Sequence, residues 1–165
     1  MANNYVEGEG TIHPFLPLTE AQAVALVSQV DDLPEEGDED ATEGEKLALQ
    51  WAKKYGLEYG TGINVEDDYE GPWKSSKKTG LSYLYVANGL EEGAPEVLQE
   101  ILQGLPKEYT HISYEAASYC SKLRPGEFGG HACFITRDAI RWMSTNGWLH
   151  EQLEKLKNPM IVKEE

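Results

Sequence analysis

Seven carboxylate side chains fall within ten residues in the first quarter of the chain, and they are the strongest candidates for chemistry. They are Asp31, Asp32, Glu35, Glu36, Asp38, Glu39 and Asp40. Carboxylates at this density can stand in for the phosphates of DNA, which carry one charge per ~1.7 Å of duplex axis, and can thus occupy a basic groove on a protein. The alternative interpretation is a solvated acidic surface that serves solubility alone.

The net charge of the 165-residue chain is −15, and the excess is concentrated at its start. Residues 1–45 contain twelve acids and no lysine or arginine, so twelve of the fifteen excess charges lie there. Direct binding to nucleic acid is disfavoured because it needs clustered basic side chains. A basic protein partner is favoured, because a field of one sign raises its encounter rate.

Two further features of the sequence bear on binding: an isolated tryptophan, and a second small acidic cluster at residues 66–70. Trp73 lies in a polar stretch between Pro72 and Lys74, and an exposed tryptophan is a candidate interface anchor, whereas most other aromatic side chains are expected in the core. Neither the acidic run nor residues 66–70 match a calcium-binding loop. We therefore expect no metal site and no cofactor.

A second group of reactive side chains comprises Cys120, His131 and Cys133. A nucleophilic thiol needs a lowered pKa, which a cation at Arg124 or His131 would provide. The spacing fits no zinc pattern. The alternative is two buried structural cysteines and an ordinary histidine, and a single disulfide bond between the cysteines also stays open.

The glycine-rich loop 122–130 lies between the two cysteines. Its backbone amides at Gly129 and Gly130 could cradle an anion, with Lys122 and Arg124 adding positive charge and Phe128 between them. The alternative is a tight loop between strands, in which glycines permit positive φ. With Cys120 and His131, this loop forms the alternative site, that of a ligand-binding domain or a thiol-dependent enzyme.

The run from Cys120 to Ala132, C-S-K-L-R-P-G-E-F-G-G-H-A, resembles a C-S-K-x-R-P-x-x-F-G-G-G-A segment in small uncharacterised proteins of phages, plasmids and bacteria. Those proteins are similar in their order of elements, and several end in a helix with a Trp-Leu pair like Trp148-Leu149 here. This chain departs from the pattern at His131, where the segment has glycine. The resemblance implies a similar fold and a mobile-element origin, and it implies no mechanism.

Periodicity and turn residues predict the elements that position these groups. Strands are expected at 5–15, 57–65, 81–87, 111–120, 131–136 and 140–144, and helices at 20–31, 42–56, 95–105 and 147–157. Capping boxes at Thr19-Glu20-Ala21-Gln22 and Thr42-Glu43-Gly44-Glu45 mark two helix starts. Asp31–Thr42 is predicted to be a mobile loop.

This order predicts an α+β fold with a mainly antiparallel sheet in a β-α-β-β-α-β, ferredoxin-like order, plus a C-terminal hairpin and helix. Residues 1–157 are expected to form one domain and 158–165 a loose tail. A membrane helix or a signal peptide is not predicted, so we expect a cytoplasmic protein, of a bacterial host if phage- or plasmid-encoded. Its composition favours a small acidic binding protein, an inhibitor or nucleic-acid mimic, over an enzyme.

Overall fold

A computed structural model of the chain describes residues 7–67, 80–87, 89–119 and 129–157, and it shows an α+β fold. The strands are β1 (Glu7–Leu16), β2 (Ile63–Asp67), β3 (Ser82–Val86), β4 (His111–Tyr119), β5 (Gly129–Thr136) and β6 (Ile140–Ser144). The helices are α1 (Glu20–Val27), α2 (Glu43–Tyr55), α3 (Ala94–Gly104) and α4 (Thr145–Lys157). A short 3-10 helix, Val30–Asp32, lies between α1 and α2.

The strands form one six-stranded sheet in the order β2-β3-β1-β4-β5-β6, and every neighbouring pair is antiparallel. The expected hairpin of β5 and β6 is present, with Ile135 opposite Ile140. It joins the sheet beside β4. The order of the whole sheet therefore differs from that of a four-stranded ferredoxin-like sheet, because β5 and β6 continue it on one side.

Helices α1, α2 and α3 cover one face of the sheet and share a single core with it. The buried hydrophobic strand residues are Ile12, Leu16, Ile63, Leu84, Val86, Ile112, Tyr114, Cys133 and Ile135. They pack against helix residues such as Leu26, Trp51 and Leu98. Because side chains alternate across a strand, the residues between them point to the opposite face. Each fully buried large aliphatic side chain stabilises the fold by roughly 1.5–3 kcal/mol.

Both predicted capping boxes are confirmed. The Thr19 hydroxyl accepts a hydrogen bond from the Gln22 amide at 3.2 Å, and the Gln22 side chain accepts one from the Thr19 amide at 3.0 Å. Thr42 and Glu45 make the same reciprocal pair at the start of α2. These bonds satisfy amides that a helix start leaves without partners, so local sequence decides where both helices begin.

A glycine in β1 makes room for the largest aromatic side chain of the sheet's core. A Cβ atom at Gly10 would lie 2.4 Å from Cε2 of Tyr114 and 2.6 Å from the Glu115 carbonyl oxygen. The Tyr114 ring is fully buried there. Gly10 weakens β1 as an isolated strand, but its missing side chain lets the neighbouring ring cross it.

Several predicted boundaries are wrong. The strand expected from Leu57 begins only at Ile63, because Gly60 and Gly62 adopt positive φ values of 143° and 71°. Between them, the buried Thr61 hydroxyl donates to the Leu26 carbonyl at 2.7 Å, which ties this segment to α1. The helix expected over 20–31 ends at Val27.

Two tryptophans depart from the expectation that most aromatic side chains other than Trp73 lie in the core. Trp51 is buried, whereas Trp142 on β6 and Trp148 on α4 are each about half exposed. β6 is an edge strand whose residues are mostly exposed, and α4 follows it and contacts β5 and β6 among the described strands. Trp73 and the tail 158–165 lie outside the described residues. No helix in the described part of the chain is both long and apolar enough to cross a membrane.

Candidate functional site

The seven predicted acids lie on the connection between α1 and α2, and all seven are exposed. Asp31 and Asp32 form the end of the 3-10 helix, and residues 35–40 follow through two turns. The segment that we call the acidic segment, Asp31–Asp40, is therefore part of the helix layer, on the side of the sheet that α1, α2 and α3 cover.

Apolar contacts and hydrogen bonds hold the acidic segment at both ends. Val30 and Leu33 pack against the core, and the Val30 amide donates to the Tyr59 carbonyl at 3.0 Å. Ala41 is buried at the other end. Between these points the Asp40 amide donates to Oδ1 of Asp38 at 2.9 Å. The carboxylates thus lie on a segment whose two ends are anchored to the fold. The prediction of a mobile loop over Asp31–Thr42 did not include this anchoring.

Few of these charges are neutralised. Glu36 forms an ion pair with Lys53 of α2, and the hydrogen bond and positive charge of that lysine lower the pKa of Glu36. The other two lysines of α2, Lys46 and Lys54, pair with Glu43 and Glu100. In the described part of the chain, the remaining six acids of the segment make no ion pair. The negative field of the acidic segment is therefore largely uncompensated.

Glu100 of α3 ties together the helices that support this segment. Its carboxylate accepts hydrogen bonds from Trp51 Nε1 at 2.9 Å, from the Tyr55 hydroxyl at 2.6 Å and from Lys54 Nζ at 2.6 Å. Partial burial raises the pKa of Glu100, but the three hydrogen bonds and the Lys54 charge outweigh it, and the pKa is lowered. The network holds α2 against α3.

Of the three residues considered for thiol chemistry, the structure describes His131 and Cys133, and Cys133 is buried. His131 and Cys133 lie two residues apart on β5 and share its helix-facing side, as expected for residues on one strand. Burial raises the pKa of the Cys133 thiol to about 11, so almost none of it is thiolate at neutral pH. The His131 ring packs 5.6 Å from Tyr114 and 6.2 Å from Trp142, measured between ring centroids. Cys120 lies outside the described residues.

The two glycines of the predicted anion-binding loop belong to a strand. Gly129 and Gly130 open β5, pair with Ser118 and Ala117 of β4, and do not have positive φ. The Gly130 amide donates to the Thr145 hydroxyl at 3.1 Å. That amide is therefore already hydrogen-bonded within the chain, so fewer backbone amides remain for the predicted anion-binding loop. Lys122, Arg124 and Phe128 lie outside the described residues, and so do the other members of loop 122–128.

The described residues show no arrangement that could bind a metal ion. Within the ranges that the structure describes, no group of three or more His, Cys, Asp and Glu side chains is placed to hold a metal ion.

The face of the sheet opposite the three helices carries a broad open groove of about 1250 Å³. Its lining residues come from β1, β2, β3, β4, β5 and the first turns of α4, and include Thr11, Glu66, Tyr83, Tyr85, Glu115 and Leu149. In the register, Thr11 lies opposite Tyr85 on one side and opposite Glu115 on the other, while Tyr83 lies opposite Glu66. Two tyrosines and a threonine thus lie between two carboxylates on one surface.

No family model, curated protein or solved structure matches this chain. Both surfaces must therefore be judged on their own residues.

No sequence motif predicted the groove. Alternation in β3, with Tyr83 and Tyr85 between buried Ser82, Leu84 and Val86, was the available signal that two tyrosines share the outer face. The groove itself depends on β1 lying between β3 and β4, and on α4 returning beside β5, neither of which a local pattern contains.

Proposed function

We propose that this chain is a binding protein that captures a basic protein partner through the acidic segment. The observation that carries the proposal is that seven exposed carboxylates lie on a segment anchored at both ends, and that Glu36 alone among them has a cationic partner in the described residues. An anchored segment loses less conformational entropy on binding than a free loop does.

The mechanism that we propose is electrostatic attraction followed by steric occlusion. The carboxylates act as phosphate surrogates and occupy a groove that the partner otherwise uses for nucleic acid. Attraction of this kind raises the association rate and weakens steeply with salt, because the Debye length falls from roughly 10 Å at 0.1 M to about 3 Å at 1 M. Binding should therefore be lost between low and high salt.

The resemblance of Cys120–Ala132 to segments of phage and plasmid proteins suggests the kind of partner. We propose a DNA-handling or defence protein of a bacterial host, which the chain would inhibit inside the cell. Trp73, a predicted anchor at the same interface, remains part of this proposal.

We also propose that β1 to β4, with the helices between them, form a ferredoxin-like unit. Support comes from the position of β1 between β3 and β4, and from the antiparallel pairing of each neighbour. The hairpin of β5 and β6 would then be an addition to that unit.

The test is affinity capture from an extract of the native host, at low and at high salt, with duplex DNA as a competitor. The first variant changes the seven acids of the acidic segment to Asn or Gln, which brings the formal net charge from −15 to −8. We expect the native chain to retain a basic protein at low salt, high salt and excess DNA to release that protein, and the variant to lose it.

The matched control neutralises seven other exposed acids and has the same net charge. These are Glu58, Glu91, Glu92, Glu96, Glu108, Asp138 and Glu151. The control should retain the partner, because its acidic segment is intact. If both variants bind equally well, or if both lose the partner equally, the acidic segment is not the binding surface and the proposal fails.

A further inference from the structure

The groove on the face of the sheet opposite α1, α2 and α3 is negatively charged among its lining residues. Glu66 and Glu115 contribute carboxylates, and among the described residues that line the groove there is no lysine or arginine. Both glutamates are exposed. A ligand that complements this lining is therefore cationic, which is a separate observation from the charge of the acidic segment on the other side of the sheet.

Two tyrosines provide ring faces beside these carboxylates. The rings of Tyr83 and Tyr85 stack with centroids 5.7 Å apart and planes 19° from parallel. Tyr83 is the direct neighbour of Glu66, and Tyr85 is separated from Glu115 by Thr11 alone. Adjacent strands lie about 4.8 Å apart, so Tyr85 and Glu115, with β1 between them, are separated by about 9.6 Å across the sheet, a span that an extended ligand can bridge. A ring face with a nearby carboxylate is a favourable environment for guanidinium or ammonium groups.

Helix α4 adds an apolar rim to the groove. Leu149 lines it and is 52% exposed, and the adjacent Trp148 is 50% exposed. Asn146 and Thr145 lie at the same margin. Exposed apolar side chains next to aromatic rings and carboxylates favour a ligand that carries apolar as well as cationic groups.

We propose that this groove binds an extended polypeptide segment in which arginine or lysine side chains alternate with apolar ones. Its volume exceeds the roughly 300–1,000 Å³ of pockets that enclose small molecules, and it is open along its length. Nucleic acid is disfavoured by the two carboxylates. A second copy of the chain is disfavoured by the repulsion between two molecules of net charge −15.

The test is an NMR titration of the ¹⁵N-labelled full chain with the peptide acetyl-Leu-Arg-Leu-Arg-amide. A second peptide replaces arginine with citrulline, whose neutral side chain has a similar shape. We expect the arginine peptide to shift the amide signals of Thr11, Tyr85 and Glu115, and we expect the citrulline peptide to bind about 5-fold more weakly or worse.

Two variants and two matched controls locate the binding. Tyr85→Leu and Glu115→Gln should each weaken the arginine peptide about 3- to 10-fold. Phe134→Leu on the same face, outside the groove lining, and Glu108→Gln elsewhere on the surface should leave its affinity unchanged. Thermal unfolding of each variant checks that the fold is retained.

The outcomes separate this inference from the proposed function. Neutralising the acidic segment should leave groove binding of the peptide in place, whatever it does to capture of the partner. The inference is overturned if Tyr85→Leu and Glu115→Gln both bind normally, if citrulline binds as well as arginine, or if the shifts are confined to residues 31–40. Shifts of the groove signals with protein concentration alone would assign the groove to a second copy and would equally overturn it.

Discussion

The two faces of the sheet are built from the same strands, yet they differ in almost every physical property. The inner face is largely apolar and is covered by α1, α2 and α3, and the connection between α1 and α2 carries the anchored acidic segment. The outer face carries tyrosines, a threonine and two glutamates, and it stays open as a groove. The comparison indicates that the inner face provides the stability, while both exposed surfaces, on opposite sides of the sheet, are available for binding.

The sharpest test of this difference compares two adjacent residues of β5. Ile135 is fully buried against the helices, and Phe134 points to the open face with 43% of its surface exposed. Ile135→Ala should lower the free energy of unfolding by about 2–5 kcal/mol, because it removes buried methyl groups and leaves a cavity. Phe134→Ala should cost about 1 kcal/mol or less, since it loses mainly its stacking on His111. Urea denaturation measures both values, and equal losses would contradict the division into two faces.

Thiol reactivity tests the same division by another route. With Cys120→Ser as the background, Cys133 should react with iodoacetamide at pH 8 at least ~100-fold more slowly in the native chain than in urea. Burial raises its pKa to about 11 and also blocks access to the sulfur.

A cysteine on the other face provides the matched control for that measurement. Phe134→Cys, in a background that lacks both native cysteines, should react rapidly in the native state because position 134 is exposed. Rapid native alkylation of Cys133 would instead revive the thiol-dependent enzyme as an interpretation. Mass spectrometry over time follows both reactions.

The smallest expected effect concerns the helix layer alone. Glu100→Gln should destabilise the chain by about 1 kcal/mol at neutral pH, because a neutral amide loses the ionic part of the bond to Lys54. The expected loss is small because both groups are partly exposed to solvent. The pKa of Glu100 is lowered in the folded state, so its contribution is present above the unfolded pKa of about 4.3 and is lost as pH falls through the folded pKa.

The difference between the native chain and Glu100→Gln should therefore shrink toward pH 2. Thermal unfolding between pH 2 and 7 measures it, with Glu108→Gln as an exposed control that should change stability by less than about 0.5 kcal/mol. A difference that stays constant with pH would show that the Glu100 charge has no role in holding α2 against α3.

Local signals predicted the elements of this fold well where they act over a few residues. Thr19 and Thr42 mark helix starts because a hydroxyl and a side chain three residues later satisfy free amides, and Gly56 ends α2 in the left-handed region at φ 71°. The strand expected from Leu57 begins only at Ile63, because Gly60 and Gly62 adopt positive φ. The hydrogen bond from Thr61 to Leu26 that fixes this segment joins residues 35 positions apart, which no window of neighbouring residues contains.

The two candidate binding surfaces also differ in how much of each could be predicted from the sequence. The acidic segment was predictable because composition alone reveals seven carboxylates in ten residues. Its anchoring was not, because it depends on Val30 meeting Tyr59 and on Leu33 reaching the core. The groove could not be predicted from any local pattern, because Tyr85, Thr11 and Glu115 come together only when three strands far apart in the chain pair in one register.

The sequence by itself determined the charge of this protein, the caps of its first helices and the alternation that gives each strand one apolar side. Those properties arise from residues within about four positions of each other, or from composition. The tertiary structure alone decided which face of the sheet the helices cover, which edge the β5–β6 hairpin extends and which polar side chains meet in the open groove. Strand pairing over long separations sets these features, because it brings together residues that have no interaction in the unfolded chain.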